Sequence, residues 1–303
     1  MSITNIGTLK ITSDENGSLK KAYTFCHRMA RKHYENFPVA SLFVPKSLRT
    51  PIAVIYAFAR TADDISDEGV LSSSERLTKL NGYRQQIQAD QPKELLLIAL
   101  LQIIKEYQLP KKLLLDLLSA FEQDVTQKIY ADFGELITYC RRSAQPIGRL
   151  LLHLTRTNTK QNFYYSDCIC TALQLINFLQ DLASDLLLRK RCYLPLNEIQ
   201  AAGYSVEALQ TLAEQKQAES PLILKDLIEK QLEKIGQLLH QGAPLLTQFK
   251  GRLGFELRLT VLAAYTMLNK LRQRACIFER PEMRALDWSR LIFQNCKQPR
   301  KTF

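Results

Sequence analysis

The chain is poor in the residues that most often announce a metal or redox centre. It has four histidines in 303 residues, at 27, 33, 153 and 240, and no two of them stand at a helical ligand spacing. Its seven cysteines are scattered, and only Cys168 and Cys170 lie close together. No zinc-ligand set can be assembled from that spacing. An odd, dispersed cysteine count behind an N-terminus with no apolar leader fits reduced thiols in a cytoplasmic protein. Long apolar runs are also missing. The longest block, LLLIALLQII at 95–104, is closed off by Glu94 and Lys105. A bilayer span needs about 20 apolar residues, so none is expected. No Gly-rich fingerprint follows a strand, and NADPH is therefore not an expected cofactor. Alternating strand-like runs are scarce, which argues against β architectures. Glycine and proline, 11 each, form no linker or low-complexity tract.

What remains is helix and positive charge. The net charge of +11 points to an anionic partner. Zinc-finger, RNA-binding and basic-heptad signatures are lacking, so nucleic acid is not that partner. A phosphorylated substrate or an anionic membrane surface is a better match, the latter as peripheral contact at the inner membrane.

KLLLDLLSAFEQDV, LILKDLIEKQLEKIGQLLHQ and FELRLTVLAAYTMLNKLRQR all carry apolar residues at helical spacing. The periodicity predicts helices near 19–35, 51–68, 73–89, 93–107, 110–127, 133–155, 162–188, 205–216, 219–247, 253–275 and 284–295, the second opened by Thr50 as N-cap and Pro51 at N1. These make one all-α domain over 18–303, behind a loose segment 1–17. His27, His153 and His240 read as surface or packed histidines, and Trp288 as a packing anchor for the last helix.

Two helices carry acid where acid is unwelcome. In YAFARTADDISDE, 56–68, four of the last six residues are acidic. The C-terminal end of a helix is already the negative end of its dipole. At about 100° per residue Tyr56, Arg60, Asp63 and Asp67 share one face, with Asp64 beside them and Phe58 and Ile65 opposite. In LQLINFLQDLASDLLLRKRCYLP, 173–195, Asn177, Asp181, Ser184 and Asp185 form a second stripe, with no cation within helical reach of Asp181.

A single such pair is usually a solvated face, and Arg60 bridging to Asp63 or Asp64 is the plain alternative. Two pairs near helix ends, on helices otherwise apolar, share one explanation in a divalent cation. Mg²⁺ takes carboxylate oxygens and completes its shell with phosphate and water. Arg60 and the run Arg189-Lys190-Arg191 would add positive charge to the same diphosphate. The chemistry implied is loss of diphosphate from an allylic or similar centre to leave a carbocation. Phe25, Phe37, Phe43, Tyr56, Phe58 and Tyr139 are candidate walls for such a cation, although aromatics at helical spacing are more often core.

These residues resemble the squalene and phytoene synthases over most of 20–280. The carriers are YAFARTADDISDE, YCRRSAQPIGRLLLHL and LINFLQDLASDLLLRKRCYLP. HYENFPVASLFVPKSLR at 33–49 and the turn Ser143-Ala144-Gln145-Pro146 are similar to the bacterial subgroup that forms hydroxysqualene for hopanoids. The resemblance implies a class I terpenoid synthase fold, helices around a central cavity. It implies Asp63, Asp64 and Asp67 as the first metal-binding group and Asn177, Asp181 and Asp185 as the second. Tyr56, Arg60 and Tyr139 would line the reaction centre, and His33, Phe37, Arg191 and Tyr193 would meet the substrate. Presqualene diphosphate would be ionised, its cyclopropylcarbinyl cation opened, and the product captured by water. An upstream presqualene diphosphate synthase and a downstream hydroxysqualene reductase would be functional neighbours.

The sequence also departs from the family. His33-Tyr34-Glu35-Asn36-Phe37 stands where many relatives carry His-Ser-x-Ser-Phe, and Ala264 stands where some have a tyrosine. Two other readings therefore remain open at this point. One is condensation of two farnesyl diphosphates, distinguished by supplying that substrate alone. The other is a non-catalytic helical relative, distinguished by whether loss of Asp63 or Asp181 changes anything.

Overall fold

A computed structural model describes residues 13–32 and 44–297. Its helices are α1 (Ser13–Lys32), α2 (Lys46–Asp67), α3 (Ser73–Ala89), α4 (Leu95–Tyr107), α5 (Lys111–Thr126), α6 (Phe133–Ser143), α7 (Gln145–Leu154), α8 (Lys160–Gln180), α9 (Leu182–Ser184), α10 (Leu196–Ala201), α11 (Val206–Gln215), α12 (Leu222–Gly242), α13 (Leu245–Gln248), α14 (Gly251–Gln273) and α15 (Ala285–Lys297). A π-helical turn covers Asp185–Arg189. One parallel ladder joins β1 (Ile129–Tyr130) to β2 (Cys192–Pro195). The expected loose segment 1–17 falls mostly outside the described residues, and α1 begins within it.

The all-α reading holds, and the differences from the expected boundaries have local causes. Helix α2 starts at Lys46, so Pro51 lies inside it. A proline there leaves the carbonyl four residues earlier without its amide partner. That carbonyl, on Ser47, accepts the Tyr107 hydroxyl at 3.3 Å. The helix expected over 133–155 is two. It breaks at Ala144 (φ −116°, ψ −47°), and Pro146 falls in the first turn of α7, where no amide is needed. The helix expected over 162–188 bends at Asp181 (φ −95°, ψ 11°) and then widens into the π turn. The helix expected over 219–247 stops at Gly242, and Pro244 opens α13. The short α10 and the ladder carried no periodic signal.

Side-chain caps mark several starts. Ser72 and Glu75 form a capping box on α3, and Asp132 accepts from the Glu135 amide on α6. The core divides into two main clusters. One gathers α1–α5 with parts of α7, α8, α13 and α14, and the other gathers α6, α8, β2, α11, α12 and α14. Leu173 and Tyr265 pack against both, so α8 and α14 are the shared spine. Trp288 packs α15 onto Leu259 and Leu262 of α14, the anchoring role expected of it. Among the described residues no helix is long and apolar enough to cross a membrane.

Candidate functional site

The acidic end of α2 is made tolerable by a residue that no motif marked. Arg76, from α3, donates to the carbonyls of Ile65 (2.7 Å), Glu68 (3.0 Å), Gly69 (3.0 Å) and Leu71 (3.1 Å). Those are carbonyls at and just past a helix end that lacks amide partners of its own. A guanidinium there also offsets the negative end of the dipole. The end of α8 has the same device: buried Arg274 donates to the Leu179 carbonyl at 2.9 Å and the Glu279 carbonyl at 3.1 Å.

On the α2 face, Arg60 is engaged by its own helix. It lies 2.8 Å from Asp64, 3.6 Å from Asp63 and 2.7 Å from Glu68. Tyr56 is half-buried one turn earlier, while Phe58 is fully buried and stacks on Tyr83, a core role. Asp67 is held from the other motif. Arg191 grips it bidentately at 2.6 and 3.1 Å, Arg189 reaches it at 3.1 Å, and Ser66 donates to it at 3.0 Å. Arg189 also meets Asp185 at 3.0 Å. One guanidinium thus spans the two acidic motifs.

The backbone after α9 makes that span feasible. In the π turn the amides of Lys190 and Arg191 both return to the Asp185 carbonyl, and Lys190 takes a left-handed conformation (φ 54°). The chain then runs extended into β2. Arg189 and Arg191 converge on Asp67, while Lys190 stays exposed. Asp181, which has no cation within helical reach, receives Arg280 from the segment between α14 and α15 at 2.5 Å. Asn177 is half-buried one turn before it.

Behind the acids lies an aromatic stack. The rings of Phe178 and Tyr193 are 3.8 Å apart and nearly parallel, and Tyr130 and Tyr139, 5.4 Å from each other, close on them at 5.5–6.1 Å. Tyr139 and Tyr193 hydroxyls both donate to Asp124, at 2.7 and 3.2 Å. Burial pushes both phenols well above the usual tyrosine range. An apolar recess lined by Phe133, Leu136, Leu175, Phe178, Tyr193 and Ile235 opens beside the stack.

The carboxyls divide into two kinds. Asp67 is held below the usual range: burial pushes it upward, but the Arg191 hydrogen bonds and charge outweigh that. Asp63 is pushed up to about 7, first by loss of surrounding water and then by the Asp67 charge. It sits in a recess yet keeps 42% of its side-chain surface open, so it remains reachable. Asp185 is likewise pushed up to about 7, by burial first and with Asp181 adding to it. These are under-compensated oxygens that a divalent cation would relieve. Among the described residues no three acidic, histidine or cysteine side chains form a ready-made cage.

The structure therefore brings Arg60, Asp63, Asp64 and Asp67 together on α2 and ties them through Arg189 and Arg191 to Asp185. His33 and Phe37 lie outside the described residues, as do Phe43 and most of the 33–49 segment. Phe25 is 39% exposed on α1. Asp124, Arg76, Arg274 and Arg280 were not legible: each acts across a sequence gap that helical spacing cannot reveal.

A sequence model of the squalene/phytoene synthase family matches residues 30–291. A hydroxysqualene synthase of Rhodopseudomonas palustris is 34% identical over 255 residues, 84% of this chain and 85% of the relative. One of Sinorhizobium fredii is 32% identical over 254 residues, with the same coverage, 84% and 85%. Among solved structures, the squalene synthase HpnC from Alicyclobacillus acidocaldarius superposes with a TM-score of 0.74 at 30% identity, covering 86% of this chain and 97% of that one. A dehydrosqualene synthase in complex with ligand superposes with a TM-score of 0.79 over 93% of this chain and 98% of that one, at 20% identity, a likeness of fold.

Proposed function

Because the chain belongs to the squalene/phytoene synthase family, we propose that it converts presqualene diphosphate to hydroxysqualene, a step of squalene and hopanoid biosynthesis. The observation that carries the site reading is Arg189, whose one guanidinium meets both Asp67 and Asp185. The two acidic helix ends thus form one negatively charged wall edged with arginine.

In this reading Asp63, Asp64 and Asp67 on one side and Asn177, Asp181 and Asp185 on the other hold Mg²⁺. When bound, the metal makes diphosphate a better leaving group. Arg60, Arg189, Arg191 and Arg280 neutralise the acids while the site is empty of substrate; Arg60, Arg189 and Arg280 can turn to diphosphate oxygens as it arrives, and Arg191 meets the substrate from its place on Asp67. Tyr56 and Tyr139 line the reaction centre, and Phe178 and Tyr193 supply π faces for the developing cation without a strong nucleophile. His33 and Phe37 meet the substrate in the same reading. Water is the terminating nucleophile, and no NADPH takes part. The substrate is apolar apart from its diphosphate, and the charge of +11 supports peripheral contact with an anionic leaflet. The step calls for a presqualene diphosphate synthase before it and a hydroxysqualene reductase after it.

Purified protein given presqualene diphosphate and Mg²⁺, without NADPH, should release the alcohol. Recovery of unreacted substrate alone would overturn the reading. A second reading, condensation of two farnesyl diphosphates, is favoured by the likeness to the squalene synthase HpnC of Alicyclobacillus acidocaldarius. Farnesyl diphosphate supplied alone separates the two.

A further inference from the structure

Asp124 lies on α5, outside both acidic motifs, and is 3% exposed. Three groups converge on it from other parts of the fold. The Tyr139 hydroxyl of α6 donates to Oδ2 at 2.7 Å, and the Tyr193 hydroxyl of β2 donates to Oδ1 at 3.2 Å. Its main-chain carbonyl accepts from Arg191, from Nε at 3.1 Å and Nη2 at 2.7 Å. The same carbonyl accepts from Lys128 Nζ at 2.7 Å. Arg191 is the residue that clamps Asp67. One residue therefore faces the aromatic wall with its side chain and the metal-binding wall with its backbone.

Burying a carboxylate is costly unless it is hydrogen-bonded. An apolar side chain would fill this place at less cost if packing were its only role. A carboxylate can only accept, so both phenols are obliged to donate to it. That sets the rotamer of each hydroxyl and turns its lone pairs away from Asp124. Tyr130, stacked on Tyr193, and the acids Asp67 and Asp63 are the other ionisable groups that feel it.

We propose that Asp124 is a positioning residue: its carboxylate fixes the direction of the Tyr139 and Tyr193 hydroxyls, and its carbonyl sets Arg191 against Asp67, so that aromatic wall and acidic wall keep one register. The inference rests on the reading of the site given above.

The test is Asp124→Asn, near-isosteric, alone and combined with Tyr139→Phe. The asparagine keeps the backbone carbonyl and with it the Arg191 clamp on Asp67, so Mg²⁺-pyrophosphate affinity and KM should change less than kcat. Its amide nitrogen cannot accept from a phenol, and kcat should fall roughly ten- to a hundredfold, the scale of a small misplacement. The double variant should be no slower than the slower single one, because both changes break one bond. Full activity of Asp124→Asn, or losses that multiply, would overturn the proposal. Tyrosine near-ultraviolet absorbance and circular dichroism give a substrate-free readout. They should shift in Asp124→Asn, and an unchanged spectrum would also overturn it. If the wild type is inert toward presqualene diphosphate, the functional reading falls while the spectra still judge Asp124. Should Asp124→Asn not fold, Tyr139→Phe and Tyr193→Phe each remove one donor, and unchanged kcat in both counts against the idea.

Discussion

Replacing Arg191 by methionine tests the central clamp. Arg191 is 5% exposed and makes two hydrogen bonds to the Asp67 carboxylate and two to the Asp124 carbonyl. Methionine keeps much of the apolar stem and deletes the charge. Asp67, with a side chain only 12% exposed, then keeps Arg189 and Ser66 alone. Removing one partner of a buried ion pair costs about 3–5 kcal/mol, and the surviving Arg189 contact places this case near 3. For a chain of 303 residues that corresponds to a fall in Tm of about 5 °C. Urea titration and thermal melts of metal-free protein at pH 7.5 measure it. A second effect has a distinctive sign. Asp67 freed of its tightest cation is a better metal ligand, so Mg²⁺ should stabilise Arg191→Met more than wild type. A loss below about 1 kcal/mol, far short of the cost of breaking a buried pair, would refute the reasoning. So would a Mg²⁺ gain no larger than in wild type.

Asp63 and Asp185 are each pushed up to about 7, while unfolded aspartates ionise near 4. Between those values the folded chain holds protons the unfolded chain has lost, so metal-free stability should decline as pH rises through about 4–7 and level off above. Asp67 is shifted the other way, and its contribution is lost only in more acidic solution. Melts from pH 5 to 8 in EDTA should show the decline, and Mg²⁺ should flatten it; a flat metal-free profile contradicts the assignment. Asp63→Asn and Asp181→Asn should lose Mg²⁺-dependent turnover while remaining folded, and intact activity in both would remove the metal-binding role. Gly242→Ala would place a Cβ 2.8 Å from the Tyr165 carbonyl and 2.5 Å from Ile169 at the packing of α12 on α8. It should cost about 1–3 kcal/mol. Gly82→Ala, with nothing within 4 Å, should stabilise α3 by about 0.5–1 kcal/mol. Urea titration orders the two.

The helices were legible because burial imposes a 3.6-residue rhythm on apolar side chains. The breaks were less so. Pro146 and Pro244 are visible in sequence, but a proline within a helical pattern reads equally as a first-turn residue of a new helix. Asp63, Asp67, Asp181 and Asp185 stood out by local spacing alone. Their partners did not. Arg280 is 99 residues from Asp181, Arg191 is 124 from Asp67, and Tyr139 is 15 from Asp124 across a helix boundary. Such contacts are decided by how α2, α5 and the strand after the π turn pack, which no local pattern encodes. The pair Arg189 and Arg191 is instructive. Two residues apart on a helix they would point in nearly opposite directions.

Lys190, between them, is exposed and makes the sequence there look like a plain basic run. A scan that neutralises surface charges one by one would class it as dispensable. Its backbone says otherwise. At φ 54° it occupies a conformation that glycine and asparagine adopt readily and β-branched residues resist. Substitution tolerance at this position should follow chain stiffness and be indifferent to charge. Glycine would be accepted, whereas valine would twist the two flanking arginines off their shared carboxylate. The residue with the least to contribute by its side chain is thus among the most constrained in the loop, and a library sorted by charge alone would misrank it.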